Sequence, residues 1–81
     1  MSFITARFVS DPLYGAPHWR IDGCVSTRAQ ADRWAAACRN DAGVGPATIV
    51  LAVPDDAEAF ALYMSGRMTI READLMARVA A

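Results

Sequence analysis

The sequence predicts an α+β domain built on a three-stranded antiparallel sheet, with elements in the order β-β-α-β-α-α, strands ordered 2-1-3 and helices packed on one face. Three observations carry this. Residues 47–53 (Ala-Thr-Ile-Val-Leu-Ala-Val) form an apolar run rich in β-branched residues, preceded by Gly43, Gly45 and Pro46 and closed by Pro54. That length suits a strand and is short for a helix. Residues 3–10 and 18–25 alternate in character, as strands with one wet face do. The remaining stretches repeat their apolar residues at helical intervals.

In the first strand, residues 3–10, Ile4, Ala6 and Phe8 fall on one face and Phe3, Thr5, Arg7 and Val9 on the other. The first set carries no charge and is the expected core face. Asp11-Pro12 breaks the strand, and residues 13–17 make a loop longer than a tight hairpin needs. His18 to Val25 form the second strand, with Trp19, Ile21, Gly23 and Val25 facing one way and His18, Arg20, Asp22 and Cys24 the other. Ser26 or Thr27 caps a helix from Arg28 to about Ala42. Its stripe is Ala31, Trp34, Ala35, Cys38 and Ala42, anchored by Trp34, and Gly43 and Gly45 stop it. The buried strand 47–53 follows.

Asp55 caps the next helix, with Glu58 as its capping-box partner. Ala57, Phe60, Ala61 and Met64 form that helix's stripe, and Gly66 ends it. A third helix opens at Thr69, with Glu72 completing a second box and Ile70, Ala73, Met76, Val79 and Ala80 as its stripe. Few residues separate these helices, so an antiparallel or bent pair is expected. Strand two reaches strand three through a helix, and such crossovers are right-handed. Residues 1–81 read as one domain without repeat or linker.

Composition narrows the function. The chain is 54% hydrophobic and 21% charged with net charge −1, which argues against disorder. All basic residues are arginine; with the abundant alanine, this reads as the mark of a GC-rich genome. Near-neutral charge argues against direct nucleic-acid binding. No signal peptide or membrane-spanning run is visible, so a cytoplasmic protein with no membrane partner is expected. Cys24 and Cys38 read as free thiols.

Chemistry finds little footing. His18 is the single histidine, and Cys24, six residues along the same strand, lies about 20 Å from it. Two distant cysteines and one histidine make no zinc site. Gly43-Val44-Gly45-Pro46 leads into a strand, so it is no phosphate loop. The expectation is a non-enzymatic binding protein with no cofactor.

Candidate partner-binding residues are Tyr14, Arg20, Asp22, Asp55, Asp56 and Glu58. Tyr14 sits with Leu13 in a proline-flanked loop as an interface anchor, or folds back over the sheet edge. Arg20 and Asp22 join Thr5, Arg7, His18 and Phe3 on the open sheet face, a recognition platform or a solvated face of cross-strand pairs such as Arg7 opposite Asp22 or Arg20. Asp55, Asp56 and Glu58 cap a helix start and complement its dipole; their further reading is an acidic patch for a basic partner surface. The last two helices are the sole candidate for a helix-turn-helix, and Arg67, Arg71 and Arg78 are offset there by Glu72 and Asp74.

A small alanine- and arginine-rich α+β chain with the order β-β-α-β-α and a sparse surface around Tyr14, Arg20, Asp22, Asp55, Asp56 and Glu58 resembles the small proteins of phages and mobile elements. Among these it resembles anti-CRISPR proteins acting on multi-subunit type I effectors. The resemblance implies stoichiometric binding to an effector (Cascade) subunit that blocks loading onto target DNA. A net charge of −1 departs from what DNA mimicry needs. The competing reading is a small nucleic-acid-associated regulator or antitoxin-like module. A monomer or a weak homodimer through an exposed strand edge fits either.

Overall fold

The computed structural model describes residues 1–41 and 47–80. In chain order they form β1 (Ser2–Val9), a single 3-10 turn (Pro12–Tyr14), β2 (His18–Val25), α1 (Arg28–Asp41), β3 (Thr48–Val53), α2 (Asp56–Ser65), β4 (Arg67–Thr69) and α3 (Ile70–Ala80). The strands lie in the order β3-β1-β2-β4, and every neighbouring pair is antiparallel. The α+β class and the 2-1-3 arrangement are present. The expected count of three strands is corrected to four.

The extra strand follows from how α2 ends. Gly66 adopts φ 81°, a left-handed conformation that glycine reaches without a Cβ penalty, and its N–H meets the carbonyls of Leu62 and Tyr63. Its own carbonyl accepts the Ile21 N–H at 2.9 Å. The chain therefore leaves the helix already docked on β2, and Arg67–Thr69 continue the ladder. Three residues between two helical stripes carry no alternation signal of their own.

Layering also differs from expectation. Ile4, Ala6, Ile21, Leu51 and Val53 form one face of the sheet, joined by Ala59 of α2, Met68 of β4 and Ala73 of α3 into a single core. Trp19, Cys24, Ile49, Leu62 and Met76 pack around it. Thr5 points the other way, yet it is only 1% exposed, and Ala31 and Ala35 of α1 are buried outside that core. So α1 covers the second face and α2 and α3 the first. The expectation that all helices share one face is overturned. At α1 the small side chains Ala31 (0% exposed) and Ala35 (1%) make the contact, while Trp34 is 52% exposed and anchors nothing. Ala42 of the expected stripe and the stops Gly43 and Gly45 lie outside the described residues.

The register of β1 on β2 shifts between Thr5 and Ala6: Thr5 faces Gly23 and Ala6 faces Ile21, leaving Asp22 as an extra residue. This bulge changes the phase of the alternation. Before it Trp19 and Ile21 face the core; after it Cys24 does, and Gly23 moves to the Thr5 side. Strict period-two alternation therefore puts Gly23, Cys24 and Val25 on the wrong faces.

The stripe of α2 is rotated too. Ala59 is buried and Leu62 half-buried, while Phe60 and Met64 are 61% and 67% exposed. A segment as apolar as Ala-Glu-Ala-Phe-Ala-Leu-Tyr-Met has no phase that periodicity alone can choose. In α3, Ala73 is buried and Met76 half-buried as expected, while Ile70 is 41% exposed. The side chains of Val79 and Ala80 lie outside the described residues.

Candidate interaction surface

At one end of the sheet, the turn between β1 and β2 is built by local chemistry. Asp11 caps it by accepting the Leu13 N–H at 2.9 Å, and Gly15, at φ 95°, lets the chain reverse. Leu13 and Tyr14 are left 88% and 68% exposed, so Tyr14 projects rather than folding back. Arg20, near the start of β2, is exposed at this same end.

Asp22 makes the cross-strand pair with Arg7 that stands as the alternative to its partner-binding role. Its side chain is only 9% exposed and faces Arg7, which donates from Nε to Oδ2 at 2.6 Å and from Nη2 to Oδ1 at 3.1 Å. The pair lies on the face that α1 covers, where Thr5 is also buried, so the expected open platform is largely closed. The Arg7 guanidinium is held above its ordinary pKa, first by the Asp22 hydrogen bond and then by its charge.

The acidic cluster sits at the opposite end. Asp55 Oδ1 accepts the N–H groups of Ala57 at 2.8 Å and Glu58 at 3.2 Å, and so caps α2. Asp56 accepts from the Met1 amino group at 2.9 Å and the Ser2 hydroxyl at 2.8 Å. Those contacts hold its carboxyl below the usual carboxylate range, the ammonium hydrogen bond contributing most. Tyr14 and this cluster are separated by the length of β1, roughly 25 Å at strand rise. The six expected residues thus divide between two ends, with Asp22 withdrawn.

Glu58 belongs instead to a feature the sequence did not disclose. Between α2 and α3 runs a groove of 540 Å³ lined chiefly by Val53, Pro54, Ala61, Leu62, Leu75 and Met76. Glu58 and Ser65 are its polar positions, and the Ser65 hydroxyl is already donated to the Leu62 carbonyl at 2.6 Å. Glu58 meets no ion-pair partner among the described residues. The apolar surface continues onto the outside of α2 through Phe60 and Met64, one turn apart. The available signal was the excess of large apolar residues on α2, more than one short helix can bury.

Beside the groove lies an open strand edge. Phe8 N–H bonds the Ala47 carbonyl at 2.9 Å, so alternate residues Ile49, Leu51 and Val53 direct their backbone groups at β1. Val50 and Ala52 direct theirs outward. Farther along, Arg39 of α1 donates to the Thr48 carbonyl at 2.9 Å and blunts that part of the edge.

Both cysteines are free and half-buried, and the His18 ring Nδ1 lies 2.8 Å from the Ala16 carbonyl. Among the described residues no three His, Cys, Asp or Glu side chains gather to hold a metal ion, and no helix is long and apolar enough to cross a membrane. No protein-family model, curated protein or solved structure matches the chain.

Proposed function

We propose that this protein is a binding domain without chemistry of its own, which acts by covering a functional surface of a larger protein assembly. The observation that carries the reading is the groove between α2 and α3 together with the exposed Phe60, Met64 and Leu75 around it. An apolar surface of this kind, rimmed by polar side chains, is what a protein partner buries. The open backbone groups of Val50 and Ala52 add a place for a partner strand to pair.

The specific assembly proposed is a type I CRISPR effector, whose engagement of target DNA the bound protein blocks; the resemblance of size, composition and element order supports it. The regulator reading is weaker. It needs a helix-turn-helix, and β4, paired with β2, stands between α2 and α3 where a short turn is required. The test is co-elution of the purified protein with a purified type I effector, followed by target-DNA binding by that complex. Co-elution with lost DNA binding is expected. An effector that neither retains the protein nor loses DNA binding overturns the CRISPR assignment.

A further inference from the structure

The strand registers place three arginines in one row across the sheet. Arg7 of β1 is opposite Arg20 of β2, and Arg20 is opposite Arg67 of β4. All three point away from the core face, since Trp19 and Met68, the neighbours of Arg20 and Arg67, point into it. Because Ile21 donates to the Gly66 carbonyl, Ile21–Gly66 is a hydrogen-bonded pair and Arg20–Arg67 a non-hydrogen-bonded one. Residues in such a pair stand about 4.5 Å apart at Cα, with their side chains drawn together.

Like charges directly opposite one another on a sheet are unfavourable. Asp22 balances Arg7. Arg20 and Arg67 are both exposed, and neither has a carboxylate within ion-pairing distance among the described residues. The acids at the start of α2 lie at the far end of the sheet, and Glu72 and Asp74, which follow Arg67 in the chain, form no ion pair with either arginine among the described residues. This corner is also the part of the second face that α1 leaves open. From the end of β2 that helix runs away from β4, towards Thr48, where Arg39 lands.

We propose that Arg20 and Arg67 form a binding site for a phosphate group. Two guanidinium forks side by side offer more donors than one planar carboxylate can accept. A phosphate has oxygens enough to take one fork on each side and carries charge to match both. A phosphorylated small molecule and a nucleic-acid backbone present the same group. The site lies on the face opposite the α2–α3 groove, so it stands or falls independently of the partner-binding reading.

The test follows the arginine side-chain Nε–H signals by NMR in three titrations at constant ionic strength: pyrophosphate, a ten-nucleotide oligothymidylate and a hexaglutamate peptide. Saturable shifts at Arg20 and Arg67 with a phosphate probe are expected. Arg20→Gln and Arg67→Gln should each weaken binding by about tenfold or more, and Arg33→Gln, exposed on α1, should not. Tighter binding of the oligonucleotide than of pyrophosphate assigns the site to a nucleic-acid backbone, and the reverse to a small phosphorylated ligand. Shifts no larger than chloride produces, or hexaglutamate binding as tightly as either phosphate probe, would overturn the proposal.

Discussion

Arg7 and Asp22 form a two-pronged ion pair, Nε to Oδ2 at 2.6 Å and Nη2 to Oδ1 at 3.1 Å, and Asp22 is the extra residue of the β1–β2 bulge. Alternation from core-facing Ile21 already sends Asp22 to the side of Arg7. The extra residue keeps Gly23 on that same side, opposite Thr5, and returns Cys24 to the core. Replacing Asp22 with Asn should cost about 2 kcal/mol, the value of hydrogen bonds to a charged group. Arg7 keeps 38% side-chain exposure and can still reach water, so the full penalty of a stranded buried charge does not apply. Urea unfolding checks it; an unchanged midpoint would remove the pair from the fold's support.

Thr5 sits beside that pair with its hydroxyl buried and without a hydrogen-bond partner among the described residues. A Cβ on the facing Gly23 would stand 3.0 Å from this hydroxyl oxygen, so the glycine makes the room it occupies. Thr5→Val keeps the shape and removes the unsatisfied group. It should raise stability by about 1 kcal/mol. A loss of stability in a thermal melt would show that the hydroxyl has a partner in solution.

The helix α1 makes a contrasting pair of predictions. Trp34→Ala should cost under about 1 kcal/mol, because a half-exposed ring leaves little cavity behind. Ala35→Leu, at a 1% exposed position against the sheet, should cost about 1–3 kcal/mol by overpacking. Chemical denaturation of the two variants checks the order. If Trp34→Ala were the more damaging, the helix would be rotated from the orientation described.

These cases show what the sequence makes legible. The strands at 47–53 and 3–10 declare themselves because their apolar residues and breakers agree. The caps at Asp55 and Thr69 do so because capping is local chemistry, and both side chains accept the expected N–H groups. What fails depends on distant partners. A bulge residue changes face only because of the strand across from it. The stripe of α1 is chosen by how closely a sheet can approach alanine, which favoured Ala31 and Ala35 over the larger Trp34. The candidate site divides similarly: Glu58 is accessible, and of the two readings of Tyr14 the exposed one holds, but the groove beside Glu58 exists because α2 and α3 stand apart, a relation no local pattern encodes.

Asp56 should show a titration midpoint below that of an ordinary carboxylate. Its folded pKa is lowered by the Met1 ammonium, then by the Ser2 hydroxyl. The contribution is therefore present above the unfolded carboxylate pKa and disappears as pH falls through the lowered folded value. The chain has no lysine, so acetylation modifies the amino terminus selectively. Carboxyl-detected NMR titration should then find the Asp56 midpoint moved up towards the ordinary range. No movement would mean that the ammonium contact is not formed in solution.

The two ends of the molecule can be separated in a partner-binding measurement. Leu75 is 52% exposed and Phe60 61%, so Leu75→Glu and Phe60→Glu should change stability by no more than about 0.5 kcal/mol. If the groove is the contact, Leu75→Glu should weaken binding by about 2 kcal/mol, the scale of a central interface residue. Glu58→Lys, on the same groove, should weaken it as well. Asp55→Ala should instead lose about 1 kcal/mol of fold stability through the missing cap. Tyr14→Ala, roughly 25 Å away along β1, should leave a groove-bound partner unaffected unless that partner spans the sheet. Isothermal titration against the isolated partner, with a melt for each variant, distinguishes these outcomes. Full affinity in Leu75→Glu and Glu58→Lys with loss in Tyr14→Ala would move the interface to the turn between β1 and β2.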